Sequence, residues 1–224
     1  DVGDYLSVAI KEAKAQQETF EVQYQLIEQS ENLQKFSVSL KKLHKINTYQ
    51  YDNILILFQE YLKIGCELFD LNNGIIGKIE KNSYIIKAII SDLTSLHSGL
   101  VTELDQTFCD LVVQERKTLI YQNINKDQKL SSHPAYQKFQ IKNYLGTPII
   151  VNDNIYGTIN FFSTKKAQKK LEIYEQEFIE LMAQNLGKYI EAHHREKERK
   201  ETLEELKKNQ TFIQPQRKSS RCYR

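Results

Sequence analysis

The spacing of hydrophobic positions changes several times along the chain, and each change marks an element. Residues 4–47 hold neither Pro nor Gly. Leu6, Ala13, Phe20 and Ile27 recur at seven, with Ile10 and Tyr24 between them, and the stripe then slips to Leu33, Phe36, Leu40 and Leu43. A narrow apolar stripe on an otherwise polar helix predicts a coiled coil, and the slip is a stutter that changes local winding. A helix this polar needs a partner to be stable, which favours a dimeric coiled coil over a helix lying on its own domain. The coiled-coil segment is expected over residues 1–35.

Residues 51–69 carry Ile54, Leu55, Leu57, Phe58, Tyr61, Leu62, Ile64 and Leu68, a broad face suited to packing on a sheet. Residues 75–80 and 84–90 read as a hairpin around Lys81 and Asn82. Residues 91–101 read as a polar connection. Asp105 or Thr107 is expected to cap a short helix reaching Val113, residues 118–122 to form a strand, and Ser131 or Ser132 to cap a helix opening near Pro134. The richest stretch is YLGTPIIVNDNIYGTINFFS, residues 144–163. Two β-rich runs flank the turn formers Asn152, Asp153 and Asn154, with Pro148 in the first run and Gly157 in the second. This is the central hairpin. From Leu171 a helix shows Phe178, Ile179, Leu181, Met182, Leu186, Tyr189 and Ile190, then becomes almost wholly charged after Arg195. Residues 193–210 are expected to be a helical linker. Residues 211–224, with Pro215 and no period, are expected to be a disordered basic tail. The fold class is α+β: a central antiparallel sheet of five or six strands with helices on one face, flanked by long N- and C-terminal helices.

In this order, the phrases LKKLHKI (40–46), YLKIGCELFDLNNGIIGKI (61–79), TFCDLVV (107–113), HPAY (133–136), the central hairpin and IELMAQNLGKYI (179–190) resemble a GAF domain. The resemblance is to those of bacterial sensor histidine kinases and diguanylate cyclases, and it spans residues 36–192. LEELKKNQ (203–210) is similar to the helix that precedes the dimerising helix of histidine kinases. No phosphoacceptor block or ATP-binding motif follows, so the effector is expected to be absent from this sequence. The resemblance implies a sensory module in which a ligand or redox input passes through dimeric helical arms to a C-terminal effector such as a histidine kinase. The alternatives are a ligand-free dimerisation module and a fragment of a diguanylate cyclase or phytochrome-like photoreceptor.

The resemblance also implies a ligand site between a sheet face and the segments over it, lined by Phe108, Cys109, His133, Tyr136, Tyr144 and Thr147. Packing alone would account for Phe108 and Tyr144, and Cys109 in its apolar run reads as a small buried hydrophobe. In phytochrome-like GAF domains a Cys-His pair anchors a bilin. Aligning His133 with that His puts Ser132 where the Cys should be, and a hydroxyl is a poor nucleophile at neutral pH, so no covalent bilin is expected. The cyclic-nucleotide pattern is incomplete: Asn125, Lys126 and Phe139 are present, but no Asp-Glu follows. His193 and His194 point about 100° apart on a helix and do not share an ion easily. No metal is expected, and no cofactor beyond an unknown small molecule.

Composition narrows the classes. A net charge of +2 over 224 residues gives no reason to expect nucleic acid. No apolar run reaches the roughly 18 residues of a membrane span, and no secretory signal opens the chain. Cys66, Cys109 and Cys222 are odd in number and lack metal-type spacing, which fits a cytoplasmic protein. Phosphate-loop, HExxH, G-x-S-x-G and CxxC motifs are missing from the sequence, so no catalytic residue is expected and the chain is read as a non-enzyme. The expected partner is a second copy, paired through the N- and C-terminal helices.

Overall fold

The structure is a computed structural model that describes residues 2–49, 51, 53–165, 171 and 173–218. Two compact units divide at residue 50, Asp1–Gln50 and Tyr51–Arg224. The first is one unbroken helix, α1 (Val2–Thr48), so the boundary expected at residue 35 falls inside it. Phe20, Tyr24, Ile27 and Leu33 are all at least 60% exposed along α1.

The second unit opens with α2 (Ile54–Phe69), capped by the Asn53 side chain, which accepts the Leu55 N–H at 2.8 Å. The chain continues as β1 (Asn73–Glu80), β2 (Ser83–Ile90), β3 (Val101–Glu103), a 3₁₀ turn (Leu104–Gln106) and α3 (Cys109–Glu115). Then come β4 (Leu119–Gln122), a second 3₁₀ turn (Ile124–Lys126), α4 (Gln128–Ser131), α5 (Pro134–Phe139), β5 (Asn143–Val151), β6 (Asn154–Ser163) and α6 (Ile173–Lys218). The strands form one antiparallel sheet in the order β3-β2-β1-β6-β5-β4. The central hairpin is β5–β6. Its turn residues Asn152 and Asp153 have φ of 49° and 62°, the left-handed pair that matches strand twist in a two-residue hairpin. β3 begins at Val101, the last residue of the segment read as a connection, and was not expected; three residues are too few to show a period.

Strand parity assigns each side chain to a face. Ile76, Leu145, Ile149, Ile159 and Phe161 are buried on one face, under α2 and α6. The Phe161 ring meets Phe69 edge-on at 5.0 Å, and Phe69 meets Phe178 at 6.2 Å. α2 comes so close that a Cβ on Gly65 would overlap the Phe161 ring. The long helices thus pack on one face, as the apolar stripes require. The short α3 and α5 lie over the other face, where Cys109, Val112 and Ala135 join Ile75, Tyr84, Ile86, Tyr144 and Phe162 in one core cluster.

Two local expectations are corrected. Ser131 and Ser132 do not cap α5; their hydroxyls donate back to the Gln128 carbonyl at 3.3 and 2.8 Å and close α4. The cap is His133, whose Nδ1 accepts the Ala135 N–H at 3.2 Å, with Pro134 as the first helical residue. α6 continues through residues 193–210 to Lys218, so 211–218 are helical rather than a disordered tail. Once a helix exists, each further residue other than Pro215, which has no N–H to donate, adds a bond without a new nucleation cost. Residues 219–224 lie outside the described residues. Among the described residues no helix is long and apolar enough to cross a membrane.

Candidate ligand-binding site

Alternation along the strands sets Asn160 and Phe162 of β6, Tyr144 of β5, Ile75 of β1, and Tyr84 and Ile86 of β2 on the side facing α3. Above them stand Phe108 and Cys109 at the start of α3, Leu96 and Leu100 from the β2–β3 connection, and Lys138 and Phe139 of α5. Together they enclose a cavity of about 80 Å³. At ~10–15 Å³ for each water-sized group, it holds roughly five to eight such groups. That is well short of the ~300–1,000 Å³ typical for drug-sized ligands, so a tetrapyrrole or cyclic nucleotide would require rearrangement.

The floor is a connected polar cluster in the middle of the sheet. The Tyr84 hydroxyl and Thr158 Oγ1 share a hydrogen bond of 3.0 Å. Asn160 Nδ2 donates to the Tyr84 hydroxyl at 3.1 Å and points at Cys109 Sγ at 3.4 Å, while the Tyr144 hydroxyl donates to the same sulfur at 3.6 Å. Nδ2 also lies 3.4 Å from the Ile75 carbonyl and 3.5 Å from Thr158 Oγ1. Every one of these contacts uses Nδ2. Among the described residues Asn160 Oδ1 accepts no hydrogen bond, yet no fully enclosed side-chain N or O atom lacks a partner. Oδ1 is therefore an unused acceptor on a residue that lines the cavity. Burial pushes the Tyr84 and Tyr144 phenols well above the usual tyrosine value, and the neighbouring Cys109 adds to the shift, so both stay protonated.

Three of the expected residues, Phe108, Cys109 and Tyr144, line the cavity. His133 stands behind the wall, stacked on Phe108 at 4.6 Å. Burial holds the His133 imidazole below its ordinary 6.5, with Asp110 and Asp105 pulling the other way. Tyr136 packs against the same cluster without lining the space. Thr147 lies on the opposite face. Its Oγ1 is 2.9 Å from Thr118 Oγ1, which in turn donates to Glu180 Oε1 of α6 at 2.6 Å. Tyr144 and Thr147 are three apart in one strand and so cannot share a face. Parity was the signal available for that residue, and it was also available for Asn160, a polar side chain inside an apolar strand. Tyr84 and Lys138 gave no signal.

The other thiol among the described residues is Cys66, which does not line the cavity. Burial pushes Cys66 up to about 12, with Glu67 adding to it, which leaves it an unreactive thiol at neutral pH. Among the described residues no group of three His, Cys, Asp or Glu could hold a metal ion.

The GAF domain family model matches residues 53–190. No curated protein matches the chain. Among solved structures, the GAF domain of a phosphoenolpyruvate-protein phosphotransferase from Coxiella burnetii superposes with a TM-score of 0.60 at 16% identity, covering 74% of this chain and 97% of that one. The phycocyanobilin-bound GAF domain of a cyanobacterial phytochrome gives 0.55 at 13% identity, covering 74% and 96%. Free methionine-R-sulfoxide reductase from Neisseria meningitidis, in complex with its substrate, gives 0.58 at 12% identity, covering 72% and 93%. At these identities the likeness is one of fold.

Proposed function

Because this chain belongs to the GAF domain family, we propose that it is the sensory domain of a signal-transduction protein and that its input is a small molecule held noncovalently between the sheet and α3–α5. The observation that carries this reading is an apolar cavity ending on a buried amide, two phenols and a thiol. Polar atoms at the end of an apolar cavity cost stability unless an occupant completes their hydrogen bonds.

The output runs through α6. It packs on the far face of β5, tied by hydrogen bonds that run from Thr147 through Thr118 to Glu180. An occupant that prefers one arrangement of β5 and β6 therefore biases α6 as well. The exposed stripe of Phe20, Tyr24, Ile27 and Leu33 on α1 supports pairing with a second copy. In this reading the parent carries a cytoplasmic effector such as a histidine kinase, and this chain contributes no catalytic residue.

Native mass spectrometry of the full chain, purified without denaturation, tests the sensor reading. A small-molecule adduct that is lost on heating is the expected result. No adduct, together with a Tm that no member of a metabolite library raises, overturns it, because any ligand specific to the folded state must raise Tm. Sedimentation tests the pairing: a dimer is expected, converted to monomer by Phe20→Glu with Ile27→Glu. A monomeric wild type ends the dimer model.

A further inference from the structure

We propose that the occupant of this cavity is a short amphiphilic carboxylate, its anionic head at Lys138 and its apolar body directed inward toward Asn160. The inference rests on the cavity being a ligand site and deepens that reading.

Charge decides the orientation. Among the described residues lining the space, Lys138 carries the formal charge. It is exposed at the end of α5, its Nζ is 5.2 Å from the centre of the Phe139 ring, and it makes no ion pair among the described residues. The floor, in contrast, offers protonated phenols, an amide and a hydroxyl. An anion placed there would lose its hydration with no cation to compensate. The charged group therefore stays at the rim, where water and Lys138 both reach it. The two nearby carboxylates are engaged elsewhere and do not line the space: Asp105 accepts from Gln106 Nε2 at 3.1 Å and Asp110 from Gln114 Nε2 at 2.6 Å.

Size and wall chemistry decide the body. Ile75, Ile86, Leu100, Ile141 and Phe162 form an aliphatic and aromatic sleeve. Room for roughly five to eight water-sized groups suits a chain of about five carbons with one further atom at its far end. That far atom meets Asn160, which is 3% exposed and whose Oδ1 is the acceptor left open. A hydroxyl at the far end supplies the missing donor, so an ω-hydroxy acid fits better than the plain acid.

The full chain is titrated calorimetrically at low salt with hexanoate, 6-hydroxyhexanoate, hexanamide and hexylamine. Tm is followed in parallel. The expected order of affinity is 6-hydroxyhexanoate, then hexanoate, then hexanamide, with hexylamine weakest. Lys138→Gln, a surface change, is expected to weaken both acids roughly three- to fivefold and to leave hexanamide unchanged, the scale of an exposed ion pair. Leu100→Trp, at a half-buried loop position, is expected to fill the space and abolish binding of all four. If hexanamide or hexylamine equals hexanoate, or Lys138→Gln weakens acid and amide alike, the carboxylate assignment falls while the ligand site stands. If none of the four binds but native mass spectrometry still finds an adduct, the carboxylate class falls alone. If there is neither binding nor adduct, both fall.

Discussion

Phe161 and Phe162 are sequence neighbours on β6 that serve opposite faces of the sheet. Phe161 is fully buried between Phe69 and the α2 backbone at Gly65, with Phe178 of α6 beyond. Phe162 is as well hidden from solvent, but it borders the cavity and shares its face with Asn160, Tyr84 and Cys109. One face is mostly apolar where long helices meet it, with the Thr147–Thr118–Glu180 hydrogen bonds as its polar contact. The other holds polar atoms and open volume under short helices and a connection. Packing to the density of a crystal stabilises; voids and half-used hydrogen-bonding groups do not. The sheet thus draws more of its stability from the α2–α6 side and has its open volume on the α3–α5 side.

The most severe way to break this contrast is to truncate each ring. Phe161→Ala is expected to cost ~3–5 kcal/mol in urea denaturation. Phe162→Ala is expected to cost less, at the low end of that range, because one side of its ring already faces empty space. Equal losses would show that both faces are packed alike.

A smaller effect tests the clasp to α6. Thr147→Val keeps the shape and removes one hydrogen bond, with an expected cost of about 1 kcal/mol. Hexanoate affinity should not change, since Thr147 is on the far face from the cavity. A tenfold loss of affinity would place Thr147 among the ligand contacts instead.

The smallest effect is a pH dependence. The folded His133 has a pKa below 6.5, so the unfolded chain binds its proton more readily. Stability is then complete above 6.5 and falls as pH drops through the lowered folded value. His133→Asn keeps a capping acceptor for Ala135 without a titrating group, so its urea midpoint should vary less with pH over that interval. An unchanged pH slope would show that His133 does not titrate against folding.

The apolar stripes of α2 and α6, the two hairpins and the left-handed turn at Asn152 and Asp153 were legible because each is a local pattern with its own period or turn chemistry. Those patterns fixed the class of fold, and the spacing of phrases pointed to the family. β3 was not legible because it exists through pairing with β2, not through any preference of its three residues. The cap of α5 was misplaced because serine is the commoner cap, and only the path of the chain shows that His133 Nδ1 reaches the Ala135 N–H. Strand parity in the sequence already separated Thr147 from Tyr144. Nothing in the sequence, however, could bring Asn160, Tyr84 and Cys109 within hydrogen-bonding reach across as many as 76 positions, or set Lys138 at the rim of the same space. Local periodicity determines which residues face inward; which of them meet there is decided by the register of β1, β2 and β6 and by where α3 and α5 close over them.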